Sequence, residues 1–248
     1  MRRLTSALVL FLIAVPALAG RSNFSVSPTE ANLSADKSSA LIVLKNASVK
    51  PLRFEINVFT WSEDERGQMT LAPTTDVTLF PKLVDLGPGA SRNIRIGLGT
   101  GVVGDSERSY RLFVEELPDQ TTAAPNAVAI RTKVGIPVFV RPVKPSRSAT
   151  VESVTVEGGK VLTRVRNTGN LHLSVDGVTV RGTNASGAQT FSGEAKGWYV
   201  LPGATRVFEL PVANTACAAT TSVSVEVTGH GKSLPGNGAV PAGACTAR

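Results

Sequence analysis

Along the whole chain, short runs of β-branched and apolar residues alternate with polar ones and are cut by Gly, Pro, Asn, Asp and Ser. No long window keeps apolar residues at the i, i+3, i+4, i+7 spacing of an amphipathic helix, so the pattern predicts strands. The clearest in the first half are Phe24–Ser27, Ser39–Lys45, Leu52–Trp61, Asn93–Leu98, Tyr110–Glu116 and Ala127–Val140. With a weaker one near Leu79 they make about seven short strands, the grammar of a Greek-key sandwich. Arg141–Ser148 then carries two prolines among polar residues, which stops strand pairing and marks a short, stiff boundary. The second half repeats the grammar at Thr150–Val156, Lys160–Asn167, Ser174–Arg181, Trp198–Leu201, Thr205–Val212 and Ser222–Val227. Asn167–Asn170 and Pro202-Gly203 read as turns. The Gly-, Pro- and Ala-rich tail from Gly229 reads as loop. The expected fold is all-β: two immunoglobulin-like β-sandwich domains at an angle, residues 20–142 and 143–248.

Ala127–Val140 is long for a strand in a small sandwich. Its even positions, Val128, Ile130, Thr132, Val134, Ile136, Val138 and Val140, are nearly all apolar and β-branched, whereas the odd positions include Arg131, Lys133, Gly135 and Pro137. Alternate residues face opposite sides of a strand, so one face is an apolar comb. Pro137 cannot donate to a ladder, which favours an edge or a bulge helped by Gly135. Two readings stand. The comb is the core face of the domain's last strand, or it pairs with another chain.

The N-terminus changes the compartment. Met1-Arg2-Arg3, an apolar run from Leu8 to Ala17 and Ala17-Leu18-Ala19 before Gly20 form a secretory signal peptide, residues 1–19. The run is too short to span a bilayer as a mature helix, and no later stretch approaches a span. The mature chain is therefore expected outside the cytoplasm. Its two cysteines, Cys217 and Cys245, then suggest one disulfide. The formal net charge of +7, two arginines of which leave with the signal peptide, is spread without a Lys/Arg run. Nucleic acid is thus not an expected partner. His172 and His230 lack zinc-motif spacing, and no metal or cofactor is expected. Neither histidine has a Ser or Cys nucleophile motif beside it, and no phosphate-binding Gly loop is present, so no catalytic residue is assigned. Glu63-Asp64-Glu65 reads as a solvated hairpin tip. Asn46-Ala47-Ser48 and Asn184-Ala185-Ser186 match a glycosylation sequon that matters only in a eukaryotic secretory host.

The order of these motifs resembles the periplasmic pilus chaperones of the chaperone–usher pathway. Phe24–Thr29, Leu41–Asn46, Phe54–Trp61, Pro81, Leu86–Gly89 and Asn93–Ile96 follow that family's succession, as do Tyr110-Arg111-Leu112 with Glu115–Pro118, and Ile136–Pro142. Asn167–His172 and Leu201-Pro202-Gly203 are similar to its second-domain turns. The Pro-Val-Phe-Val ending at Pro137–Val140 looks like the archaic branch. The resemblance implies a non-enzymatic chaperone whose long strand inserts alternate side chains into a pilus or fibre subunit that lacks its own last strand. It also implies delivery to an outer-membrane usher. The teeth would be Val128, Ile130, Thr132, Val134 and Ile136.

Typical members hold the subunit's C-terminal carboxylate with two basic residues. Here Glu30 follows Thr29 where the first would stand, and Pro137 occupies the position of the second. Lys133, Arg111 and Arg95 are the candidate replacements, each otherwise a solvated charge or an interdomain ion pair. A secreted two-domain adhesion or scaffold module binding through loops remains the alternative. It predicts a comb buried on both faces, whereas the chaperone reading predicts an exposed one.

Overall fold

The computed structural model describes residues 23–118 and 131–245. It is nearly all strand. The first sandwich begins with β1 (Phe24–Ser27), β2 (Ala31–Leu33), β3 (Ser39–Asn46), β4 (Leu52–Glu63) and β5 (Met69–Pro73). It continues through β6 (Val77–Phe80), β7 (Leu83–Leu86), β8 (Ser91–Leu98), β9 (Arg108–Glu116) and β10 (Lys133–Val140). One sheet runs β1-β3-β8-β6 and the other β2-β10-β9-β4-β5, with β7 also on β4. The N-terminal segment thus changes sheets between β1, antiparallel to β3, and β2, parallel to β10.

Alternation sets which side chains fill the space between the sheets. In β8, Ile94 and Ile96 point inward while Asn93 and Arg95 point out. Ile42 and Leu44 of β3 join them, and across the core stand Phe54, Ile56, Leu112, Val114, Ile136 and Val138. Each such side chain contributes about 1.5–3 kcal/mol by leaving water.

The second sandwich contains β11 (Ala149–Glu157), β12 (Lys160–Asn167), β13 (Leu173–Ser174), β14 (Gly177–Thr183) and β15 (Gln189–Lys196). After β16 (Tyr199–Val200) and β17 (Thr205–Pro211) comes the short helix α1 (Asn214–Ala218), then β18 (Ser222–Gly229) and β19 (Lys232–Ala239). Its ladders are β11-β12-β17, β13-β16 and β15-β14-β18-β19. Cys217 of α1 and Cys245 form a disulfide across a separation of 28 residues. By loop entropy such a closure contributes about 3 kcal/mol.

Several elements depart from the pattern. The tail after Gly229 is a strand: β19 pairs with β18 from Lys232 to Ala239. Gly236 and Gly238 make it possible, because a Cβ at Gly238 would lie 2.2 Å from the Val154 carbonyl oxygen of β11. β5 is exposed along its length, so burial leaves no periodicity to read; its ladder with β4 creates it. The predicted strand at Ala127–Val140 begins, among the described residues, at Lys133, and residues 127–130 lie outside them.

The two sandwiches meet in a packed joint. Trp61, Phe139 and Leu201 form a buried cluster, with Tyr199 and Ala204 against it. The His172 ring stacks on Phe139 at 3.8 Å, and its Nδ1 and backbone N–H both face Glu107 Oε1, at 2.8 and 2.9 Å. Asn170 donates to the carbonyls of Asp105 and Lys144 at 2.8 and 2.9 Å. Glu63-Asp64-Glu65 is a hairpin tip whose Asp64 and Glu65 stay exposed, while the Glu63 carboxylate is buried in the joint. Glu65 pairs with Arg164, and its carbonyl accepts the Val207 N–H at 2.8 Å, so the tip rests on β12 and β17.

Candidate functional site

β9 pairs with β10 along its whole length, from Lys133 opposite Glu115 to Val140 opposite Arg108. On the other side β2 reaches only Val138–Val140. The edge from Lys133 to Pro137 therefore has no strand partner among the described residues. An open edge of apolar sequence is a template for another chain. The even positions turn inward here. Ile136 is 1% exposed and belongs to the core, and Val134 is half-buried against it. Thr132 is exposed just before the strand, its carbonyl accepting the Glu116 N–H at 3.0 Å. Val128 and Ile130 lie outside the described residues.

On the opposite face of the same sheet lies Arg111, the register partner of Pro137 in β10 and of Phe59 in β4. It is 8% exposed, and its Nε and Nη1 have no hydrogen-bond partner. Instead the guanidinium lies 4.8 Å from the Trp61 ring centroid and 5.7 Å from that of Trp198. Burial pushes its pKa down from the usual value, opposed by Tyr199 and Glu63, but a guanidinium keeps its charge in proteins. Glu63, the acid that could neutralise it, is committed elsewhere. Its carboxylate accepts the indole N–H groups of Trp61 and Trp198 at 3.1 and 3.0 Å and pairs with Arg206. The result is a desolvated cation between two indoles, with donors left open. A cation held this way is stabilised by the faces of the rings rather than by a counter-ion.

Residues 23–146 match the family model described as pili and flagellar-assembly chaperone, PapD N-terminal domain. The chain belongs to this family of assembly chaperones. The fold agrees across both sandwiches. The chain is 18% identical to a structure of the CsuC–CsuE chaperone–tip adhesion subunit pre-assembly complex from archaic chaperone–usher Csu pili of Acinetobacter baumannii. That match covers 88% of this chain and 98% of the other, with a TM-score of 0.61. A Salmonella enterica SafA pilin–SafB chaperone complex matches at 16% identity, covering 88% and 97%, with a TM-score of 0.56. The E. coli chaperone DraB matches at 17%, covering 89% and 97%, with a TM-score of 0.53. None of the curated proteins compared matches the chain. The family is one of assembly chaperones, so the chain is not an enzyme.

Within this chaperone the three candidate cations part company. Lys133 is exposed at the start of β10, paired with Glu115 at 2.9 Å and poised 4.7 Å from the Phe113 ring centroid. That pairing holds the Glu115 carboxyl below its usual range. Arg95 stands on the outer face of the other sheet, near Ser39 at 3.4 Å, away from β10 and Arg111. Arg111 alone of the three is buried and unpaired. The Tyr199 hydroxyl, which donates to Glu30 at 3.2 Å, belongs to the same cluster of groups that acts on Arg111. Arg111 thus lies opposite Pro137, one of the two positions where the family resemblance places a basic residue. Trp61, Trp198, Glu63 and Arg206 were not singled out from sequence as site residues, because three distant stretches and both sandwiches supply them. Among the described residues no group of three or more His, Cys, Asp or Glu is placed to hold a metal, and no helix is long and apolar enough to cross a membrane.

Proposed function

We propose that this protein is a periplasmic chaperone that holds a pilus or fibre subunit by donor-strand complementation and passes it to an outer-membrane usher. On this reading residues 1–19 are a cleaved signal peptide, 20–142 form the subunit-binding domain and 143–248 its companion. The observation that carries the reading is the open Lys133–Pro137 edge of β10 beside a buried, unpaired Arg111. The edge offers main-chain hydrogen bonds to an incoming strand, and apolar teeth set the register. The teeth are Val128, Ile130, Thr132 and Val134. Ile136 marks the inner end, where the comb passes into the chaperone's own core. Arg111 is the anchor for the subunit's terminal carboxylate, with Lys133 at the outer end of the same strand and Arg95 a surface charge. The usher would meet the other sheet, whose outer face exposes Leu41, Val43 and Phe80 around Arg95.

Periplasmic co-expression with a candidate subunit tests this, comparing wild type with Ile130→Asp and with Arg111→Ala. Soluble subunit co-purifying with wild type and lost from both folded variants supports the reading. If wild type holds no subunit, or both variants hold it equally, the protein binds through loops as a two-domain adhesion or scaffold module.

A further inference from the structure

The second sandwich contains a cavity of about 820 Å³ at the end nearest the joint, between the start of β11, the end of β12 and the β18–β19 hairpin. This volume lies within the range of small-molecule pockets, about 300–1,000 Å³. The apolar floor is made by Leu171, Leu173, Val175, Val227 and Leu234, all buried or half-buried. Around the mouth stand Arg141, Arg147 and Lys232, all exposed. No aspartate or glutamate lines the cavity.

The three cations share one mouth without an acid among the lining residues. Lys160, Arg164, Arg166 and Arg206 of the same sandwich each pair with a glutamate. Arg141, Arg147 and Lys232 take part in no ion pair among the described residues. His230 stands in the wall, its Nε2 accepting the Ser174 N–H at 3.0 Å. Burial, together with Arg147 and His172, lowers its pKa, so at neutral pH it adds no charge. Like charges gathered at the mouth of an apolar cavity repel one another, and a ligand that brings a negative head removes that repulsion.

We propose that this cavity binds an amphiphilic anion: an alkyl chain ending in a carboxylate or sulfate, with the chain on the Leu171–Leu234 floor and the head at Arg141, Arg147 and Lys232. The site is separate from the β10 edge and from Arg111, and does not depend on the subunit-binding reading.

The test is a calorimetric titration of the mature protein with dodecanoate below its micelle concentration, followed in parallel by amide chemical shifts. The control is the neutral detergent dodecyl maltoside. Saturable one-site binding is expected, with shifts at Leu173, Val227 and Leu234. The double variant Arg147→Glu/Lys232→Glu, whose changes are on exposed side chains, should bind about tenfold or more weakly. Absence of saturable binding overturns the proposal. So does equal affinity for the maltoside, unchanged binding by the folded double variant, or shifts confined to β10.

Discussion

In the first sandwich Asn46 ends β3, and in the second Asn167 ends β12. Both are buried, and both do the same job. The Asn46 amide donates to the carbonyls of Lys50, Leu86 and Gly87 at 2.8, 3.0 and 3.1 Å. The Asn167 amide donates to those of Leu171 and Val200 at 2.7 and 2.9 Å. Each Oδ1 accepts the N–H two residues on, from Ser48 and Gly169. Each backbone N–H reaches the end of a Pro-Gly turn, at Ala90 and Ala204, and the turn glycines Gly89 and Gly203 have φ of 71° and 68°. Positive φ at that position is what a type II turn requires. The sandwiches are therefore closed by one device. They part at the last strand. β19 packs its glycines against β11 and is followed by the disulfide, whereas among the described residues β10 leaves Lys133–Pro137 open. Each sandwich closes on its own core with the same clamp, and the proposed subunit-binding role rests on the edge that only one of them leaves uncovered among the described residues.

The comparison can be broken at the asparagines first. Asn46→Ala and Asn167→Ala each strand buried carbonyls, and each should lose about 3–5 kcal/mol in urea unfolding, in its own sandwich. A large inequality between the two would mean the devices are not equivalent. Next comes the covered edge. Cys217→Ser with Cys245→Ser should remove about 3 kcal/mol from the second sandwich and nothing from the first, with faster hydrogen exchange along β19. The open edge and its cation follow. Arg111→Ala should weaken capture of a subunit by about 10- to 100-fold, or about 1.4–2.8 kcal/mol, while Arg95→Ala leaves it unchanged; competition between purified complexes reads this. The smallest effect lies at the hairpin tip. The Arg164 guanidinium holds the Glu65 carboxyl below its usual range, so this contact is present at neutral pH and is lost as pH falls through the lowered folded-state pKa. The Val207 amide shift should follow that acid titration, and should stay flat in Glu65→Gln.

The Asn46 result also removes a sequence motif from consideration. Asn46-Ala47-Ser48 matches a glycosylation sequon, yet its amide is fully buried in the clamp and has no room for a sugar. Burial of this kind has no signature in three consecutive residues.

Strand positions with one buried face were legible before any coordinates. Ile94 and Ile96 alternate with Asn93 and Arg95 because a pleated strand must send neighbours to opposite sides, and water sorts them. The turn at Pro202-Gly203 was legible for an equally local reason, the one around Pro88-Gly89 through the family resemblance, and the cysteine pairing from the expected compartment. β5, β19 and the site around Arg111 were not. β5 and β19 exist because a neighbour offers a ladder, and a ladder is blind to side-chain pattern. Arg111 reads as one of three candidate anchors, no different from Lys133 and Arg95, until Trp61 and Trp198 close on it from both sandwiches and Arg206 takes up Glu63. Its burial and its missing partner are properties of that convergence, since desolvation and competition for one carboxylate depend on distance in space, and separation along the chain carries no record of either.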